Sequence, residues 1–206
     1  MRAMLILLVL ISAPAFAEIE FHVIPFDVDP PIEIDGDLTD WALVPNAIQL
    51  NDPKQATFGE KEYTGLDDMS GVIHIAWRPG GLFFAAQVVD DQFTQPYSGA
   101  GLYRGDHANL FIDLAPQQEP DRNAMGAGQY HIAVSPGSLA SPDSGEQATP
   151  PEVFFYTPQE GMDHHGKCKV AAKRTGRGYI VEAYIPFELL GGFKAAQGKD
   201  VNFTVA

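Results

Sequence analysis

Residues 72–91 read VIHIAWRPGGLFFAAQVVDD. In the first part, residues 72–77, Ile73, Ile75 and Trp77 fall on one side of an extended chain and Val72, His74 and Ala76 on the other. Residues 82–91 form a longer apolar run that closes on Asp90 and Asp91. Between them stands Arg78-Pro79-Gly80-Gly81. Proline presets one turn dihedral and glycine tolerates positive φ, so this tetrapeptide reverses the chain tightly. Two extended runs joined by such a turn predict an antiparallel hairpin.

The same grammar extends outward from the hairpin. ANLFIDL (108–114), QYHIAVS (129–135), EVFFYT (152–157), KCKVAAKR (167–174), GYIVEAYI (178–185) and VNFTV (201–205) are short and mostly rich in β-branched or aromatic residues. The breaks between them are polar and carry Gly, Pro, Asp or Asn, with long loops at 115–128 and 136–151. PFELLGG (186–192) has proline first and glycines last, the order expected of one short helical turn. Many short strands with little helix predict an all-β fold, an antiparallel β-sandwich of jelly-roll-like type. A long up-and-down barrel is the alternative that periodicity leaves open. VNFTVA ends inside a strand with no cap or polar tail, so a chain truncated at its C-terminus, with further domains beyond Ala206, is expected.

The opening residues have another reading. MRAMLILLVLISAPAFA (1–17) has a basic start, an apolar core at Met4–Ile11 and a small-x-small site at Ala15-Phe16-Ala17. This predicts a secretory signal peptide, a mature chain from Glu18, and one domain over 18–206. The apolar core is too short to span a bilayer, and no later run is long enough. An exported protein, periplasmic or extracellular and bacterial, is expected. Its one cysteine, Cys168, allows no internal disulfide, which argues against a small stapled scaffold. With 27 acidic and 13 basic residues and a net charge of −14, the chain has no electrostatic footprint for nucleic acid. Neutral ligands and divalent cations remain.

Candidate residues follow from chemistry. IEIDGDLTDW (32–41) offers Asp35, Asp37 and Asp40 around Gly36. Their spacing does not match a helical-hand calcium loop. A strand end, an aspartate turn and Trp41 packed as a core plug is the simpler reading, which makes Trp41, Asp35 and Gly36 structural. Asp90, Asp91 and Asp106 stand near strand ends, where carboxylates gather around a cation or accept backbone N–H bonds. From these we expect a structural Ca2+ site. Nucleophile, phosphate-loop and zinc-protease motifs are missing, and no carboxylate pair is marked out for the roughly 5–9 Å separation of a glycosidase. Cys168 shares a strand face with Val170 and Ala172, as a core cysteine would. His164 and His165 lack an obvious third ligand at zinc spacing. In GLYRGDHANLFID (101–113), Tyr103 sits just before a strand, where a flat ring can take the C–H face of a sugar. Arg104, Asn109 and His131 are polar groups near it in pattern and suit hydroxyl binding.

Several of these pieces, in order, resemble the family 9 carbohydrate-binding modules attached to xylanases and other exported proteins. IDGDLTDW resembles the family's I-D-G-x-x-D/E-x-W opening. IAWRPGGLFFAAQVVDD resembles its A/K-x-x-W-D-x-x-x-L-Y-x-x-x-x-V-x-D-x hairpin. LYRGDHANLFIDL resembles W-x-x-D-x-x-E-x-F-I-D, GQYHI resembles G-Q-Y/F-R-x, and GYIVEAYIPFELL resembles G-Y-x-x-E-x-x-I-P-W. The resemblance spans roughly residues 30–206. It implies a β-sandwich, bound calcium and a non-catalytic site for plant polysaccharides or their oligosaccharides, hence a part in polysaccharide catabolism. Aligned through Asp106, the family's stacking tryptophan is Tyr103, its sugar-binding glutamate is Asn109 and its arginine is His131. The second stacking tryptophan has no counterpart before the chain ends. Two other readings stand beside this one. The first is a structural or partner-binding module of a larger exported enzyme or outer-membrane protein that has lost sugar binding. The second is a glycoside hydrolase.

Overall fold

The computed structural model describes residues 32–45, 47–56, 61–115, 124–140, 148–158, 166–196 and 198–206. The expected signal peptide, the start at Glu18, the His164-His165 pair and parts of both long loops lie outside these residues. Among the described residues, nine strands form two antiparallel sheets. β1 (Ile48–Leu50), β2 (Met69–Arg78), β3 (Gly81–Asp90), β8 (Gly178–Pro186) and β7 (Lys169–Thr175) make a sheet in the order β1-β2-β3-β8-β7. β6 (Glu152–Thr157), β5 (Gln129–Ser135), β4 (Ala108–Asp113) and β9 (Asn202–Val205) make the second, in the order β6-β5-β4-β9. This is the expected sandwich.

The hairpin forms as its turn chemistry demands. Arg78 pairs with Gly81, so Pro79 and Gly80 alone reverse the chain, and the register runs unbroken to Met69 opposite Asp90. The strands are longer than periodicity shows because Met69–Gly71 continue the ladder without an apolar signal. β1 went unseen: three residues are too few to display alternation. β7 begins at Lys169 rather than Lys167, because Gly166 and Lys167 are spent in a turn. PFELLGG forms a 3₁₀ turn at Phe187–Leu190, closed by Gly191 in the left-handed region at φ 65°.

The main core lies between the sheets. Ile73, Ile75, Phe84 and Ala86 of β2 and β3, with Val181, Ala183 and Ile185 of β8, face Leu110, Ile112, Ile132, Val134 and Phe155 of the second sheet. Cys168, Val170 and Ala172 are half-buried against it, and burial pushes the Cys168 thiol up to about 12.

A second, smaller core covers the other face of the five-stranded sheet. Ile32, Trp41 and Val44 pack on Ala76, Phe83 and Ala85. Both faces of β2 and β3 are thus covered, which is why VIHIAW and LFFAAQVV read apolar on both sides. Trp41 is wholly buried. Its indole Nε1 donates to Glu182 Oε1 at 2.5 Å. Oε2 of the same carboxylate accepts the backbone N–H of Gly36 at 2.5 Å and of Asp35 at 3.2 Å. A buried carboxylate without partners costs several kcal/mol, roughly; three donors converge on Glu182. Gly36 holds φ +84° beside Lys173 Cβ, so glycine is needed there twice over. The aspartates of this segment bind its own amides. Asp35 Oδ1 accepts from Asp37 at 2.8 Å, Asp37 Oδ1 from Thr39 at 3.0 Å, and Asp40 Oδ2 from Glu33 at 2.6 Å.

Candidate functional site

The outward face of the four-stranded sheet carries the candidate residues. In β4, Leu110 and Ile112 point into the core, so Asn109 and Phe111 point out. In β5, Ile132 is inward and His131 outward. In β6, Phe155 is inward, and Phe154 and Tyr156 face out. Register places Phe111 opposite His131 and Asn109 opposite Ala133. A bulge between His131 and Ile132 shifts β6 so that Tyr156 comes beside the His131 ring.

These side chains are in contact. The His131 ring stacks on Phe111 with centroids 4.3 Å apart and planes at 21°. On its other side Tyr156 lies 4.7 Å away at 34°, with Phe154 edge-on to Tyr156 at 4.9 Å. His131 Nε2 is 2.8 Å from Asn109 Oδ1. Burial, and then the charge of His107, lower the His131 pKa, so the imidazole is neutral at neutral pH.

Tyr103 comes from a loop laid over one end of this face. The loop's 3₁₀ turn, Gly99–Arg104, buries Leu102 completely. Glu152 holds its start, accepting from Ser98 Oγ at 2.8 Å and from the Gly99 amide at 2.5 Å. Gln95, buried beneath the loop, donates to the carbonyls of Leu102 at 3.3 Å and Asp106 at 2.7 Å and accepts from the Tyr97 amide at 3.1 Å. The Tyr103 amide donates to the Tyr156 hydroxyl at 3.3 Å. Tyr103 is 68% exposed and so offers its ring to solvent. Phe111 and His131 spend their facing sides on each other. Arg104 is exposed, and its guanidinium lies 4.4 Å from the centre of the Tyr97 ring. The structure therefore brings Asn109 and His131 together, ties the Tyr103 backbone to Tyr156 of the same face and places Arg104 on Tyr97.

The three acidic candidates divide. Asp90 ends β3, and Asp106 lies in the loop whose amide at Thr94 donates to Asp106 Oδ2. The two carboxyls meet, and burial together with the Asp90 charge raises Asp106 to about 6. Asp90 Oδ1 accepts from the Gln92 amide at 2.8 Å, while Asp90 Oδ2 is buried without a partner. Asp91 is exposed and joins neither. No group of three or more His, Cys, Asp or Glu gathers as a metal cage among the described residues. Two hard carboxylates side by side, one oxygen orphaned, suit a divalent cation that draws its other ligands from carbonyls and water.

Phe111, Phe154, Tyr156 and Gln95 were not singled out from sequence. Parity offered a signal for Phe111, which shares an outward face with Asn109 two residues before it. Tyr156 depends on a bulge and Gln95 on the burial of a loop, and neither leaves a local mark.

Comparison with known proteins bears on this fold. The family described as "Carbohydrate family 9 binding domain-like" matches residues 34–206. Among solved structures, the chain is similar to a carbohydrate binding module family 9 (CBM9) from Caldicellulosiruptor kristjanssonii in complex with cellotriose. That likeness has a TM-score of 0.59 and 16% identity, over 90% of this chain and 74% of the other. It is also similar to a CBM9 from the same organism in complex with glucose, at TM-score 0.57 and 18% identity, over 90% and 76%. A search of curated proteins gave no match. At these identities the structural likeness speaks for the fold, and the match over residues 34–206 speaks for the family: this chain belongs to the carbohydrate family 9 binding domain-like proteins.

Proposed function

We propose that this module binds a carbohydrate without chemically changing it. Its ligand would be a plant polysaccharide or an oligosaccharide derived from one. The observation that carries this reading is the Asn109–His131 pair, 2.8 Å across, on a sheet face whose Tyr156 also accepts from the backbone of the exposed Tyr103. Tyr103 takes the C–H face of a pyranose, Asn109 and His131 bind its hydroxyls, and Arg104 contributes at the rim. The bound sugars of the two CBM9 structures support the same ligand class. Isothermal calorimetry with glucose, cellotriose and xylo-oligosaccharides tests it. Parent protein gives measurable heat, and Tyr103→Ala, folded by circular dichroism, gives none. A folded parent that is silent throughout favours a structural or partner-binding module instead.

Two further roles belong to this reading. Asp90 and Asp106 hold a structural Ca2+, whose charge neutralises their mutual repulsion and engages the orphaned Asp90 oxygen. Residues 1–17 direct export to the periplasm or beyond, where such polysaccharides are met. Amino-terminal sequencing of the exported protein should begin at Glu18.

A further inference from the structure

The turn that carries Tyr103 is poorly suited to holding its own shape. Residues 98–105 read SGAGLYRG, with glycine at 99, 101 and 105. Within the turn Gly99–Arg104, Leu102 alone is buried. Glycine loses the most conformational freedom on ordering, so a stretch of this composition keeps one arrangement only if other parts of the fold hold it. Strand β6 holds it from one face. Val153 and Phe155 of β6 pack on the core, so Glu152, Phe154 and Tyr156 point outward. The Glu152 carboxylate takes the start of the turn, through Ser98 Oγ at 2.8 Å and the Gly99 amide at 2.5 Å. Two outward positions further on, the Tyr156 hydroxyl accepts the Tyr103 amide at 3.3 Å, near the turn's other end. The Tyr156 ring also lies 4.7 Å from His131. Tyr156 therefore meets both the backbone of the exposed tyrosine and the imidazole of the polar pair.

We propose that Glu152 and Tyr156 are positioning residues of the carbohydrate site, which clamp the two ends of the Gly99–Arg104 turn on β6 so that Tyr103 is set in place before a ligand arrives. This rests on the carbohydrate reading above. Glu152 acts without touching the sugar. Ordering of the glycine-rich turn is completed on folding, so binding does not have to supply it. With a clamp removed, part of the binding free energy goes into ordering the turn, and affinity falls although every group that faces the ligand is kept. The variants separate the two ends. Glu152→Ala removes both bonds to the start of the turn. Glu152→Gln keeps an oxygen for the Gly99 amide, and its NH2 can donate to the Ser98 hydroxyl. Tyr156→Phe keeps the ring beside His131 and takes away the acceptor of the Tyr103 amide.

Two measurements on the full chain decide the matter. Amide hydrogen exchange of the sugar-free protein reads the clamp. The Gly99 and Tyr103 amides should be protected in the parent. Gly99 should exchange at least about tenfold faster in Glu152→Ala, and Tyr103 likewise in Tyr156→Phe, while Phe84 in the middle of the other sheet stays as slow as in the parent. Unprotected Gly99 and Tyr103 amides in the parent overturn the proposal whether or not any sugar binds. Calorimetry with cellotriose reads the positioning. Affinity should fall about tenfold in Glu152→Ala and about fivefold in Tyr156→Phe, the scale of one hydrogen bond's worth of ordering, with the loss in the entropy of binding. Glu152→Gln should recover most of it, which a general loss of stability would not give. Variants that loosen the turn yet bind cellotriose as the parent does refute the positioning role and leave carbohydrate binding intact. A folded parent with both amides protected that binds no sugar removes the carbohydrate reading, and the positioning role with it.

Discussion

Glu182 shows how one side chain can join distant parts of a chain. It lies mid-strand in β8, wholly buried, and receives the Trp41 indole and the amides of Asp35 and Gly36. Glu182→Ala leaves three donors unpaired and should cost about 3–5 kcal/mol in urea unfolding. Trp41→Phe keeps most of the packing and loses only the Nε1 bond, so a cost of about 1–2 kcal/mol is expected. Sequence marked Trp41, Asp35 and Gly36 as structural from their own pattern. It did not mark Glu182, because a glutamate in an alternating strand reads as solvent-facing until another segment is known to cover it. Cys168 makes a simpler case. With its thiol raised to about 12 by burial, labelling of the native protein at pH 8 should be on the order of a thousandfold slower than in denaturant. Equal rates would mean that the thiol is open.

Among the elements, those with strong local signals were readable in advance. The β2–β3 hairpin carries its alternation and its turn within twenty neighbouring positions, so no distant contact is needed to specify it. The Phe187–Leu190 turn was likewise legible from proline before it and glycine after it. Gly191 holds φ 65°, and Gly191→Ala should lower stability by about 1–2 kcal/mol, read as a shift in denaturation midpoint. β1 and the 3₁₀ turn at Gly99–Arg104 were not foreseen. The first is three residues long, and the second is set by Gln95 and Glu152, which reach it from elsewhere. That second case matters for function, since this turn aims Tyr103.

At the scale of the molecule, the described residues stack in three layers: the four-stranded sheet, the five-stranded sheet and residues 32–45 folded over its outer face. The proposed Ca2+ ties the end of β3 to the loop that presents Tyr103, so it should stabilise the fold as well as the site. Chelation should lower the melting temperature by roughly 5–10 °C, measured against a hundredfold excess of calcium over its Kd, with recovery on readdition. Asp106→Asn should blunt that response; an unmoved melting temperature in the parent would rule the site out. Most strands, the turns and the all-β class could be read from the residues alone, because alternation and turn chemistry act over a handful of neighbours; these left sandwich and barrel both open, and the resemblance implied the sandwich. The resemblance also pointed to Tyr103, Asn109 and His131. Contacts across the fold were needed for the rest: Asn109 pairing with His131 from twenty-two positions away, Tyr156 carried beside them by a bulge, Asp106 meeting Asp90 and Asp91 left out. Each depends on strand register and on which face another segment covers, and both are settled only when the sheets pack.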